Sequence, residues 1–224
     1  MKRHTCFAIL VMLLMVLIIP AIAVADTIML NSNLSSNESN NKSGGNVKIE
    51  WPHPEWQQNG VDYFWISYAD TGYPPGDIPH ANWPADATIP GEPTAIFYES
   101  FVLPYDYNAG SIRIWADDTT GIWIGNKDSG SQDWTSLVGA NPVQGQYCAE
   151  GAIGCLPSTG LTIDLGNLTA GLYALRFDTY QRQSGPFGLM YSGSIISQPV
   201  PEASSLLLFA TGLGLVCLIM HRHR

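Results

Sequence analysis

Two long apolar runs bracket this chain, and the text between them is organised differently. Phe7 to Ile19 and Leu206 to Met220 contain no charged residue. Between them, short runs rich in Ile, Val, Tyr, Phe and Trp are separated by Gly, Pro, Asn and Asp. The expected strands are Val47–Trp51, Val61–Tyr68, Thr94–Val102, Ser111–Ala116, Gly121–Ile124, Leu161–Leu165, Leu172–Thr179 and Phe187–Ile196. No window outside the terminal runs has helical periodicity. Many short strands with frequent turn signals predict an all-β domain, a single β-sandwich or jelly roll over 46–197. About 150 residues suffice to bury a real core. The absence of a visible internal repeat argues against a propeller or solenoid.

Strand alternation assigns faces. In Ile112-Arg113-Ile114-Trp115-Ala116-Asp117, the isoleucines and Ala116 share one face, and Arg113, Trp115 and Asp117 share the other. Ile122 and Ile124 likewise oppose Trp123. If these two segments form a hairpin with a three-residue loop, Trp115 and Trp123 are cross-strand neighbours. A loop of two or four residues sets each beside an isoleucine instead.

The ends read as addresses. Lys2, Arg3 and His4 precede the first apolar run, Pro20 breaks it, and Ala23-Val24-Ala25 offers the small residues a signal peptidase reads. Residues 1–25 are therefore expected to be a cleaved signal peptide. Residues 26–45, Asn- and Ser-rich from Asn31 to Gly45, lack the apolar area that offsets ordering entropy, so a disordered linker is expected there. The Asn-x-Ser triplets at Asn33, Asn37 and Asn41 reflect this composition.

At the other end, Pro199-Val200-Pro201-Glu202-Ala203 leads into the second apolar run and then His221-Arg222-His223-Arg224. Ala203 to Met220 would be about 27 Å long as a helix, near the lower limit for crossing a bilayer. The arginines after it place the C-terminus on the cytoplasmic side. The three-part layout over 199–224, with a transmembrane helix at 203–220, resembles the PEP-CTERM sorting signal of Gram-negative bacteria that make extracellular polysaccharide. That resemblance implies processing by an exosortase near Pro201-Glu202, with Arg222 and Arg224 as the basic end. Ala203 stands where that family usually has Pro. The implied course is an inner-membrane-anchored precursor, then a place at the cell surface or in the extracellular matrix.

Removing both ends changes the charge. The chain holds 10 Lys and Arg against 19 Asp and Glu. Lys2, Arg3, Arg222 and Arg224 lie in the ends, so 6 basic face all 19 acidic residues between Asp26 and Glu202, a net of −13. Such a surface repels nucleic acid and anionic lipid, which excludes nucleic-acid binding as a function class. Of the four cysteines, Cys6 and Cys217 fall in the apolar ends. Cys148 and Cys155 are expected to form a disulfide in an oxidising compartment. A zinc site is the alternative, but two thiolates without further Cys or nearby His make a poor one.

Phe97-Tyr98-Glu99-Ser100-Phe101-Val102-Leu103-Pro104 leads into Ser111-Ile-Arg-Ile-Trp-Ala-Asp117-Asp118. Ile122-Trp123-Ile124-Gly125-Asn126 follows, and later Leu165-Gly-Asn-Leu-Thr-Ala-Gly171-Leu-Tyr-Ala-Leu-Arg-Phe177. Together these resemble the galactose-binding-like jelly roll found as accessory domains of many glycosidases and in secreted sorting-tail proteins. The resemblance spans Thr94 to Ile196 and implies a fold; function does not follow from it.

Three kinds of chemistry are in view. Asn126, Asp128 and Asp133 space oxygen ligands around Gly130 as a calcium loop would, with Asp117 and Asp118 as a second pair. Turn chemistry explains the same residues without an ion, and no cofactor other than calcium is suggested. All seven Trp lie between Trp51 and Trp134, and flat aromatic faces stack on pyranose rings. Trp115, Trp123 and Trp134 are the carbohydrate-binding candidates, with Trp56 and Trp83 behind them, although Trp is also a good strand and core residue. Catalytic motifs are missing, and His53 and His80 both sit beside Pro. Scattered carboxylates leave a glycosidase-like pair as a third reading. The sequence thus points to an exported, non-enzymatic carbohydrate-binding protein, with a structural or adhesive matrix component as the alternative. Its expected partners are signal peptidase, exosortase, extracellular polysaccharide and, before processing, the membrane.

Overall fold

Twelve strands account for most of the described residues, and no helix occurs among them. The structure, a computed structural model, describes residues 27–34, 37–39, 45–73, 83–84, 92–107, 109–126, 133–139, 148, 153–182 and 185–196. All belong to one unit, Thr27–Ser197. The signal-peptide, transmembrane and sorting-motif expectations, and Asp128, lie outside the described residues.

The strands are β1 Thr27–Asn31, β2 Asn37–Ser39, β3 Gly45–Asn46, β4 Lys48–Ile49, β5 Ile66–Ser67 and β6 Ala95–Leu103. They continue with β7 Ala109–Asp117, β8 Thr119–Asn126, β9 Trp134–Val138, β10 Leu161–Asp164, β11 Gly171–Tyr180 and β12 Gly188–Ile196. One antiparallel sheet runs β10-β7-β12-β5-β4, with β1 also on β12; the other runs β3-β2-β6-β11-β8-β9. The chain is an all-β sandwich.

Alternation decides what lies between the sheets. On β6, Ala95, Phe97, Phe101 and Leu103 point inward, and on β11, Tyr173, Leu175 and Phe177. They meet Ile112 and Ile114 of β7, and Leu189, Tyr191 and Ile195 of β12. Phe177 stacks on Tyr191 across the sandwich at 4.5 Å. One inward position on β6 is a carboxylic acid: Glu99 is 3 % exposed. Burial pushes its carboxyl up to about 8, although the Tyr191 hydroxyl and the Asn31 backbone N–H both hydrogen-bond to it.

Two expectations need correction. Part of the expected linker is strand: Thr27–Asn31 pairs with β12 from Ile196 to Ser192, and Asn37–Ser39 pairs with β6. The reason is Leu30, fully buried in the main core; the Thr-Ile-Met-Leu run before the polar tract supplies an edge that β12 needs. Second, β7 and β8 do not form a hairpin. They belong to different sheets, and Asp117-Asp118-Thr119 turns the corner between them. Trp115 and Trp123 therefore point from opposite outer faces of the sandwich, whatever the loop length.

Trp115 is covered by a second, smaller core on the outside of the first sheet. Trp56, Trp65, Trp115, Cys155 and Met190 form it, and Trp115 and Met190 are register partners on β7 and β12. The Cys148–Cys155 disulfide closes this flap, with Cα atoms 5.3 Å apart, inside the usual range for such bridges. Backbone bonds tie it down: Ala116 N–H to Gly154 O at 3.2 Å and Gln57 N–H to Cys155 O at 2.8 Å.

Candidate functional site

The outer face of the second sheet has no such cover among the described residues. Register aligns Tyr98 of β6, Arg176 of β11, Trp123 of β8 and Ser136 of β9 in one row across four strands. The next row holds Ser100, Ala174, Gly125 and Trp134. Asp178 and Tyr180 continue the outward face of β11 by the same alternation.

Trp134 sits where it does because position 125 is glycine. A Cβ there would lie 3.0 to 3.3 Å from atoms of the indole, so the ring rests directly on the β8 backbone. Its centroid is 6.0 Å from that of Tyr98, with the planes tilted by 41°. The Arg176 guanidinium lies 5.5 Å from the Trp123 ring and 6.0 Å from the Trp134 ring. It thus fills the gap between two indoles, in cation–π range of both.

Arg176 is fixed by a fork. Its Nε donates to Asp178 Oδ1 at 2.7 Å and its Nη2 to Oδ2 at 2.9 Å. The Asp178 side chain is nearly buried and that of Arg176 partly so. Burial works against the guanidinium charge, but the hydrogen bonds and charge of Asp178 outweigh it and raise the Arg176 pKa. Burial also raises Asp178, and Arg176 pulls it back. Both carboxylate oxygens are engaged by the guanidinium. Three of the five guanidinium N–H groups remain to donate elsewhere. The site therefore offers aromatic faces and hydrogen-bond donors on a rigid sheet. Such a surface can stack against the C–H face of a ring while binding its oxygens.

The expected site residues divide accordingly. Trp123 and Trp134 are both on this platform and half-buried. Trp115 is 4 % exposed in the smaller core, with Arg113 against its ring at 4.9 Å, so it presents no face to a ligand. Trp56 shares that core, its ring 4.4 Å from Trp65. Trp83 stacks on Tyr73 at 6.4 Å and donates to Gly72 O. Tyr98, Arg176, Asp178 and Tyr180 were not singled out from sequence. Alternation along β6 and β11 is the signal that could have marked them as outward-facing, but only sheet order makes them neighbours of the two indoles.

The two calcium candidates lie at opposite ends of β8. Asn126 closes the strand next to Asp133, which just precedes β9 and its Gly125↔Trp134 pairing, while Asp117 and Asp118 precede its other end, about 23 Å away at strand rise. Asp117 and Asp118 are buried, 6 % and 4 % exposed. Burial, then the neighbouring Asp118 charge and hydrogen bond, push Asp117 well above the usual carboxylate range. Asp118 Oδ2 accepts the Arg182 backbone N–H at 2.6 Å. Ligand atoms of Asp117, Asp118 and Cys148 lie within 4.8 Å of one another, but the Cys148 sulfur is in the disulfide and is no thiolate ligand. On the first sheet's outer face, a shallow groove of about 480 Å3 is lined by Ser111, Thr162, Asp164, Asn167, Ser194, Ile196 and small neighbours, without an aromatic.

No family model matches the chain, and no curated protein sequence does. Among solved structures, it is similar to a family 35 carbohydrate-binding module from Clostridium thermocellum, with a TM-score of 0.38 and 12 % identity, covering 75 % of this chain and 97 % of that one. It is also similar to the K1 cleaved adhesin domain of Lys-gingipain from Porphyromonas gingivalis W83, with a TM-score of 0.37 and 13 % identity over 77 % and 98 % of the two chains. A third likeness is to an isomalto-dextranase from Arthrobacter globiformis T6 complexed with panose. Its TM-score is 0.33 at 15 % identity, covering 75 % of this chain and 23 % of that one.

Proposed function

We propose that this is a non-enzymatic carbohydrate-binding protein whose ligand lies on the Tyr98–Trp123–Trp134–Arg176 platform. The observation that carries the reading is Trp134 lying on Gly125 beside a guanidinium already locked by Asp178. Stacking needs an immobile aromatic face, and hydroxyl recognition needs a donor whose orientation is set before binding. Asp178 has both oxygens taken by Arg176. It is therefore unsuited to act as the acid, base or nucleophile that glycoside hydrolysis requires.

The sequence supports placing this binding outside the cell. The N-terminal run reads as a signal peptide, and Pro201-Glu202-Ala203 with Arg222 and Arg224 as an exosortase-type address. On this reading the protein is retained in, or released into, the extracellular polymer that its platform binds. The test is a polysaccharide array probed with the purified full-length protein, with calcium and with chelator. Saturable binding to one glycan class, lost in Trp134→Ala at unchanged melting temperature, is expected. Silence across the array from folded protein would leave a structural matrix component instead. Loss of binding in chelator would bring in calcium, through Asn126, Asp128 and Asp133 or through Asp117 and Asp118.

A further inference from the structure

Granting the carbohydrate reading of the platform, we infer that its ligand is an internal stretch of a single, twisted glycan chain at least two sugars long. Neither a terminal monosaccharide nor the flat surface of a crystalline polysaccharide fits it. Tyr98 and Trp123 are rooted on strands separated by β11, so their Cα atoms stand two strand spacings apart, about 10 Å. That is wider than one pyranose ring. Contacts bridge this width: Trp123 to Arg176 at 5.5 Å, Arg176 to Trp134 at 6.0 Å, and Trp134 to Tyr98 at 6.0 Å. A sugar stacked flat on one ring of this series leaves the other rings to its neighbours in the chain.

Ring orientation narrows the class further. The 41° tilt between Tyr98 and Trp134 prevents both rings from lying against one plane. Successive sugars stacked on them must be rotated relative to each other, as in a chain that twists freely in solution. A coplanar array of chains would meet one ring and miss the other. Polar chemistry agrees: with Asp178 saturated, Arg176 presents donors at mid-platform. Ring, hydroxyl and linkage oxygens accept there, so a glycan need present no special end group.

The experiment titrates the full-length protein with ladders of one to six sugars from a β-1,4-glucan, a β-1,4-xylan and an α-1,6-glucan. The corresponding soluble polymers and microcrystalline cellulose are run beside them. For the ladder that binds, affinity should rise at least tenfold from one sugar to three and then level off. Tyr98→Ala should abolish that rise, and Tyr98→Phe should restore it. A monosaccharide that binds as tightly as the hexamer would overturn the inference while leaving the carbohydrate reading intact. So would binding confined to microcrystalline cellulose, or to polymers with no hexamer binding. Failure of every ladder, polymer and solid with folded protein would overturn both.

Discussion

Trp134 lies flat because position 125 has no Cβ, whereas Trp115 is enclosed because a disulfide-closed flap lies over it. Opposite consequences are expected from truncating them. Trp134→Ala should lower glycan affinity at least tenfold with a change in stability under about 1 kcal/mol, typical of surface sites. Trp115→Ala should cost about 3–5 kcal/mol, as for large core deletions, and the protein that remains folded at low temperature should bind normally. Chemical denaturation read beside a binding titration separates the two. Glu99 makes a prediction about pH. Its carboxyl titrates near 8 in the folded domain against an ordinary 4.5, so the native state keeps a proton that the unfolded chain has released. Stability is therefore full below about pH 4.5, declines as pH rises, and its contribution is lost by about pH 8, at up to about 1.4 kcal/mol per pH unit. Glu50, pushed up to about 7 chiefly by burial, adds the same sign over a shorter window. Melting temperatures from pH 4.5 to 8.5 should fall with pH, and Glu99→Gln should flatten the slope. An unchanged slope in that variant would contradict the assignment.

At the scale of strands, period-two patterning was legible wherever one face was consistently apolar. The faces of Ile112–Ala116 and Ile122–Ile124 came out as expected from sequence because each isoleucine pair had a polar or aromatic residue between. Pairing was not legible. Nothing in Asp117-Asp118-Thr119 distinguishes a hairpin turn from a corner between sheets, since both use the same short polar residues, and so Trp115 and Trp123 could not be separated. The β1 strand was masked by the Asn- and Ser-rich tract that follows it, although Leu30 anchors it in the core. A chain shortened to begin at Asn46 should therefore aggregate or lose several degrees of melting temperature, because the β12 edge opens and a core side chain is gone. The Cys148–Cys155 bridge closes a short loop, worth about 2–3 kcal/mol in the chain-entropy model. Its reduction should loosen the flap and shift Trp emission to the red, while the platform on the other sheet keeps its affinity.

For the whole molecule, a net of −13 between Asp26 and Glu202 favours solubility and repels polyanions. On the proposed reading, recognition falls to one face of one sheet. That face combines residues from β6, β8, β9 and β11, so no linear motif could carry it; the sequence holds the two indoles and the alternation, while the sheet order supplies the rest. The proposed terminal addresses would be separable from it. Removing 199–224 should change where the protein resides, assayed by fractionating cells and medium, without altering affinity for polysaccharide. The most direct test of the central claim is affinity electrophoresis of the full-length protein and Trp134→Ala through gels cast with each of a panel of soluble polysaccharides. Retardation of the unaltered protein by one class, and free migration of a variant with the same melting temperature, is the predicted result. Equal retardation of both would show that the ligand sits elsewhere, and no retardation in any gel would contradict carbohydrate binding.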